Sequence, residues 1–276
     1  MSLPQISFEF FPPKTLEGTE KLRATRARLA LLQPRFMSVT FGAGGSTQQG
    51  TFNTVLEIAG EGFNAVPHLS CIDSSKQSLR KILSQYRTHG IQHIIALRGD
   101  LSSGMGGAGE LRYACELVAF VRAEYGDWFH IVVAAYPEYH PQARSPRADL
   151  ENFAHKVKVG ANSAITQYFY NADAYFRFVD DVHQLGVDVP IVPGVMPIMN
   201  YTQLMRFSEM CGAEVPRWIA RRLESFGDDY NAIQEFGLDV VTAMCERLVM
   251  NGAPGLHFYT LNSSVNSKTI CERLRV

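Results

Sequence analysis

The chain has little cysteine, almost no net charge and no long hydrophobic run, and each absence removes a class of protein. Its five cysteines, Cys71, Cys115, Cys211, Cys245 and Cys271, are odd in number, widely scattered and never arranged as C-x-x-C. Neither a disulfide framework nor a zinc site is expected, and a reducing compartment is. Lys and Arg number 26 against 27 Asp and Glu, a formal net charge of −1. That balance offers no general attraction to a phosphate backbone or an anionic membrane, so nucleic acid is not an expected partner. No apolar run approaches the roughly 20 residues of a membrane-spanning helix, and Met1 to Ile6 lacks the regions of a signal peptide. A cytoplasmic protein is expected.

Several catalytic signatures are also missing. There is no H-E-x-x-H and no G-x-S-x-G, which argues against a zinc protease and a serine nucleophile elbow. His89 and His93 have the i, i+4 spacing of a helical metal pair, but Gly90 and a strand beginning at His93 spoil it. Phe8-Glu9 stands where metal-dependent barrel hydrolases often carry H-x-H, so no metal is expected. Phe41-Gly42-Ala43-Gly44-Gly45-Ser46-Thr47 follows a strand, yet Thr47 occupies the third glycine position of a dinucleotide fingerprint. No acidic residue closes the next strand, so the Rossmann reading is weak.

What the chain does have is 46% hydrophobic residues over 276 positions, enough for a large core, and a regular alternation of strand-like and helix-like segments. Strands are expected at residues 5–10, 36–40, 65–69, 93–97, 131–135, 163–167, 189–192 and 255–259. Several are apolar without a period of two, as strands buried on both faces of a parallel sheet are. Between them, residues 75–89 place Leu79, Ile82, Leu83 and Tyr86 at i, i+3, i+4 and i+7, one apolar helical stripe. Residues 111–124 and 172–185 read as helices too, the latter closed by Gly186. Eight such units predict an α/β fold, a (β/α)₈ TIM barrel forming one domain over residues 1–276. Extra helices are expected within 201–251, before the last strand; an open doubly wound sheet is the alternative. The longest irregular connection is the serine- and glycine-rich stretch 100–109, a candidate lid.

In a barrel the site lies at the carboxyl ends of the strands. The polar residues there are Glu9, Thr40, His68, Arg98-Gly99-Asp100, Tyr136-Pro137-Glu138-Tyr139-His140 and Gln167. Glu9 is flanked by Phe8, Phe10 and Phe11, which predicts desolvation and a raised pKa suited to a general acid; a glutamate on the polar side of an edge strand is the plainer reading. Arg98-Gly99-Asp100 puts a cation, a glycine permitting close approach and an anion behind one strand, suited to a polar cofactor ring or to a turn with an ion pair. His68 and His140 are expected to hydrogen-bond to ligand or backbone. The aromatics Tyr168, Phe169, Tyr170, Tyr175, Phe176 and Phe178 read mostly as core.

Taken in order, Ser7-Phe8-Glu9-Phe10-Phe11-Pro12-Pro13, Ser38-Val39-Thr40-Phe41-Gly42-Ala43, Pro67-His68-Leu69, Ala96-Leu97-Arg98-Gly99-Asp100, Ala135-Tyr136-Pro137-Glu138, Gly160-Ala161-Asn162, Ala164-Ile165-Thr166-Gln167, Pro193-Gly194 and His257-Phe258-Tyr259-Thr260-Leu261-Asn262 resemble one family, methylenetetrahydrofolate reductase. The resemblance covers almost the whole chain. It implies a barrel with non-covalent FAD at its mouth and hydride transfer from NADH or NADPH to 5,10-methylenetetrahydrofolate, the two substrates alternating on one flavin face in a ping-pong scheme.

By that resemblance Glu9 is the acid that protonates a folate ring nitrogen, Asp100 tunes the flavin and the substrate cation, and Gln167 and Thr40 orient the alternating ligands. The flavin contacts implied are Thr40, Phe41, Ala43, His68, Arg98, Gly99, Asp100, Tyr113, Ala114, Tyr136, His140, Asp149, Asn152, His155 and Lys156. Asp149, Asn152 and Lys156 are spaced to share one helix face. Gln203 and Phe207 match positions that meet folate or nicotinamide. Two positions depart from the family: Ser263-Ser264 stands where relatives have an arginine for the folate tail, with Lys268 a candidate substitute, and His155 replaces an arginine near the flavin phosphates. No regulatory domain and no S-adenosylmethionine inhibition are expected, and a homo-oligomer is. A metal-dependent barrel hydrolase and a non-catalytic flavin- or folate-binding barrel are the alternatives.

Overall fold

The computed structural model describes residues 4–41, 47–72, 74–99 and 109–275. Strands and helices alternate as β1 (Gln5–Phe10), α1 (Leu16–Ala30), β2 (Phe36–Val39), α2 (Gln48–Gly60), β3 (Ala65–Ser70), α3 (Lys76–Thr88), β4 (His93–Leu97), α4 (Ala114–Tyr125), β5 (His130–Ala135), α5 (Pro146–Lys158), β6 (Ser163–Thr166) and α6 (Ala172–Gln184). Then come β7 (Ile191–Val192), β8 (Gly194–Val195), α7 (Tyr201–Cys211), α8 (Arg217–Ser225), α9 (Tyr230–Met250), β9 (Gly255–Tyr259) and α10 (Val265–Leu274). The extra helices before the last strand are therefore α7, α8 and α9.

Every strand pairing is parallel, in the order β7-β6-β5-β4-β3-β2-β1-β9-β8. The two ends of that order are one stretch of chain, since only Pro193 separates β7 from β8. β7 pairs with β6 and β8 with β9, and Pro193 O accepts from His257 N at 3.0 Å. Nine segments thus make eight runs, and the sheet closes into the expected barrel. Gly194 sits at the seam because nothing larger fits. A β-carbon there would lie 2.2 Å from Thr166 O and 2.6 Å from the Tyr259 ring.

Alternation along the strands separates two apolar bodies. Val66, Ile95, Val132 and Ile165 meet inside the barrel, with Phe36, Leu97, Val192 and Tyr259 against them. Their sequence neighbours, such as Met37, Ile94, Val133 and Ala164, face outward into the larger core shared with the helices. The predicted stripe of α3, Leu79, Ile82, Leu83 and Tyr86, is buried there, and Ser75 caps that helix through Ser78 N. Tyr168, Phe169, Tyr170, Tyr175 and Phe178 are buried as expected.

The differences are at element ends. Residues 189–192 pair only from Ile191, because Pro190 has no N–H to give a ladder. α4 starts at Ala114 rather than at residue 111, since Tyr113 at the N-cap position is extended. Thr40 and Gln167 lie one residue past β2 and β6, though each N–H still bonds the neighbouring strand, at Phe10 O and Ala135 O.

Candidate active site

The carboxyl ends of the strands form a polar mouth around Glu9. Phe8 and Phe10 turn outward and are fully buried in the helix-facing core, Phe8 5.8 Å from Phe258. Glu9, between them on β1, turns inward, with its side chain 15% exposed. The period of two therefore removes the aromatic neighbours from its surroundings and supplies histidines. Glu9 Oε2 lies 3.0 Å from His68 Nε2 and 3.5 Å from His257 Nε2. Burial pushes the carboxyl pKa up, but the attraction of His68 and the hydrogen bonds of His257 and His68 outweigh it, bringing the value to about 2. The raised pKa expected from the phenylalanines is thus corrected: without ligand, Glu9 is firmly ionised.

His257 and Ser7 are the site residues that the sequence reading left without a role. His257 is fully buried, stacks on Phe36 at 5.5 Å, and pairs through Nδ1 with Ser7 Oγ at 2.8 Å. Glu9 and Ser7 share the inward face of β1, and the register sets Ser7 opposite His257 on β9. The signal was the odd, inward-facing series of β1, but its partner lies 250 residues away.

Around this centre the remaining candidates fall into groups. Ser38 on β2 and Thr40 just past its end carry buried hydroxyls with no hydrogen-bond partner among the described residues. Arg98 reaches Gln142 Oε1 at 2.7 Å and so ties the end of β4 to the loop after β5. Gly99 has φ +89°, and a β-carbon there would lie 2.0 Å from Ser70 Oγ, so the backbone runs where only glycine passes. Ala43 and Asp100 lie outside the described residues, as does most of the 100–109 stretch. Phe41, next to Thr40, is half-buried.

The loop after β5 brings Tyr136 and His140 together, with ring centroids 4.6 Å apart, and His140 N donates to Asp149 Oδ2 at 2.9 Å. On α5 the ammonium of Lys156 is buried beneath the end of β5 and donates to Ala134 O. Burial lowers its pKa to about 8 against the attraction of Asp149. Asp149 and Lys156 thus share the inner side of α5, whereas Asn152 and His155 are exposed. Tyr113 is 57% exposed at the start of α4, with Ala114 half-buried beside it.

Two clefts flank the mouth. One of about 170 Å³ is lined by Tyr136, Glu138, Gln167, Tyr168 and Cys211 among others. Gln167 Oε1 accepts from Tyr168 N at 3.0 Å. Burial raises the Glu138 carboxyl pKa to about 6, and its Oε2 accepts from Glu214 N at 2.7 Å. The other cleft, about 190 Å³, holds Gln203 and Phe207 of α7 with Met196 and Leu261. Ser263 is half-buried in the turn after β9, and Lys268 pairs with Glu272 at 3.2 Å along α10. A buried carboxylate held by imidazoles at the head of a barrel, with orphaned hydroxyls beside it and a buried ammonium nearby, suits an extended polar ligand and proton transfer to it.

A family model for methylenetetrahydrofolate reductase matches residues 2–275. The chain is 43% identical over 272 residues to the 5,10-methylenetetrahydrofolate reductase of Pectobacterium carotovorum subsp. carotovorum, covering 98% of this chain and 90% of that one. For the enzyme of the same name in Escherichia coli (strain K12) the identity is 42%, with the same coverage. A probable methylenetetrahydrofolate reductase (NADH) of Oryza sativa subsp. japonica is 40% identical over 93% of this chain, which spans 46% of the plant protein. Among solved structures, an uncharacterized protein from Clostridium thermocellum that binds two copies of 5-methyl-5,6,7,8-tetrahydrofolic acid superimposes over 99% of this chain and 94% of its own, with a TM-score of 0.63 at 16% identity. That likeness is one of fold.

Proposed function

The chain belongs to the methylenetetrahydrofolate reductase family, and on that premise we propose that it reduces 5,10-methylenetetrahydrofolate to 5-methyltetrahydrofolate with electrons from NADH or NADPH passed through FAD. Membership of this family sets aside the barrel-hydrolase alternative. The observation that carries the reading is Glu9, a carboxylate turned into the barrel mouth between His68 and His257. The name of the plant relative favours NADH.

The residues present fit a flavin. The unpartnered hydroxyls of Thr40 and Ser38 are donors waiting at the mouth. The buried Lys156 ammonium supplies a cation for a phosphate. We assign the adjoining wall to Tyr136, His140 and Asp149, and its edge to Arg98, Tyr113 and Ala114. Bound there, FAD would supply a two-electron carrier between nicotinamide and folate.

Glu9 then acts on the substrate. A proton delivered from its carboxyl to the folate ring nitrogen breaks the five-membered ring and leaves the 5-iminium cation that accepts hydride. The carboxyl is ionised in the free protein, so it must take up its proton as the substrate arrives. Closing the mouth to water strengthens the desolvation that favours the neutral acid. Gln167, fixed by Tyr168 N, orients the ligand from the first cleft, and Gln203 and Phe207 hold it from the second. Asp100 is assigned the electrostatic support of the substrate cation. We assign residues 1–276 to one catalytic barrel, acting in the cytoplasm as a homo-oligomer; among the described residues no helix is long and apolar enough to cross a membrane.

The test is anaerobic stopped flow on the purified holoprotein. Bound flavin reduced by NADH should be reoxidised on mixing with methylenetetrahydrofolate, with 5-methyltetrahydrofolate formed. Protein that neither carries nor takes up FAD would overturn the reading, and flavin that is reduced but ignores the folate would favour the non-catalytic barrel.

A further inference from the structure

The turn after β9 connects the backbone around the acid to the second cleft through the side chains of Thr260 and Asn262. The β1–β9 ladder runs in register from Gln5 with Gly255 to Glu9 with Tyr259. Past that point Thr260 takes over, its Oγ1 donating to Glu9 O at 2.6 Å and accepting from Asn262 N at 3.1 Å. The Asn262 amide then pairs with Phe11 as a peptide group would: Oδ1 accepts from Phe11 N at 3.0 Å, and Nδ2 donates to Phe11 O at 2.9 Å. Thr25 Oγ1 on α1 holds Asn262 O at 3.2 Å.

This closure needs two consecutive left-handed residues, Leu261 with φ +49° and Asn262 with φ +59°. Asparagine tolerates that conformation; leucine does so only when its surroundings impose it. The effect is to bring Leu261 into the wall of the cleft that also holds Gln203 and Phe207. The amide of Asn262 thus secures the backbone two residues beyond Glu9, while the turn it ends presents Leu261 to the cleft.

We infer that Asn262 is a positioning residue, which through Thr260 and the Phe11 backbone holds the Glu9 carboxylate against its histidines and sets Leu261 at the substrate cleft. This rests on the functional reading only for its catalytic consequence. The positioning itself is a property of the protein alone.

The test uses Asn262→Gly, which keeps the left-handed turn and removes the amide, and Thr260→Val, which removes the hydroxyl between Asn262 and Glu9. Thr260→Ser restores that hydroxyl. Carbon-13 NMR of glutamate-labelled holoprotein follows the Glu9 titration, read against thermal melting. The carboxyl should titrate higher than in the wild type in the first two variants, as contact with His68 and His257 loosens, and return toward it in Thr260→Ser. In stopped flow, reoxidation by folate should fall at least about tenfold more than reduction by NADH, since only the former uses the acid. An unchanged Glu9 titration in folded Asn262→Gly and Thr260→Val proteins would overturn the inference, as would equal losses in both half-reactions. If wild-type flavin is not reoxidised by folate, the functional reading fails, and the titration alone decides the positioning role.

Discussion

Replacing His68 with leucine removes the imidazole that faces Glu9 Oε2 at 3.0 Å and leaves His257 at 3.5 Å as the remaining partner. In the wild type the carboxyl titrates at about 2 instead of 4.5, although burial pushes it the other way. A shift of that size corresponds to about 3 kcal/mol of net preference for the charged form. Because the folded pKa is depressed, this stabilisation is complete above the unfolded value of 4.5 and is lost as pH falls from there toward 2. With His68 gone, His257 alone opposes burial, so Glu9 should titrate well above its wild-type value. The variant should then be less stable than wild type by about 2–3 kcal/mol near pH 5.5, where an imidazole is ordinarily charged, with the deficit shrinking as the pH is lowered from 4.5 toward 2. Urea denaturation across this range gives the stability difference, and carbon-13 NMR of labelled glutamate gives the titration. A Glu9 signal that still titrates near 2 in His68→Leu, or one at or above 4.5 in the wild type, would refute the assignment of His68 as the main electrostatic partner.

Other outcomes follow from buried groups elsewhere. His130 is held to a pKa of about 4 by burial and by its neighbours His93, 5.0 Å away between ring centroids, and Arg35. Stability should therefore be complete above 6.5 and fall as pH drops toward 4, by about 1–2 kcal/mol once its partial exposure is allowed for. His130→Asn should flatten that limb in urea melts at pH 7 and pH 5. Lys156→Met should weaken FAD binding at least about tenfold in fluorescence titrations, a loss of about 1.4 kcal/mol. With the lysine at about 8, wild-type affinity should decline as pH rises through that value, and the variant should lack the decline.

Much of the fold was legible because the barrel is built of short local units. The i, i+3, i+4 stripe of α3 and the apolar runs of the strands are properties of ten or fifteen consecutive residues; the stripe is buried, and so are most residues of the runs. The seventh strand was harder, since Pro190 and Pro193 interrupt its hydrogen-bonding and only closure of the barrel makes the two halves one strand. The site divided in the same way. Glu9, His68 and Gln167 could be found by asking which polar residue ends each apolar run. The electrostatics of Glu9 could not, because its sequence neighbours Phe8 and Phe10 face away from it, and the groups that set its pKa arrive from β3 and β9. His257 and Ser7 meet for the same reason. The separation of Asp149 and Lys156 from Asn152 and His155 depends on how α5 seats against β5, which spacing alone does not specify.

The central claim is that Glu9 is the acid of the folate half-reaction. Its most direct test compares wild type with Glu9→Gln in anaerobic stopped flow, using flavin already reduced by NADH. The glutamine keeps the shape and the neighbours but has no proton to give. Reduction by NADH should be little changed, while reoxidation by methylenetetrahydrofolate should slow by roughly 10² to 10⁴, the usual contribution of a general acid. Reoxidation at the wild-type rate would contradict the account.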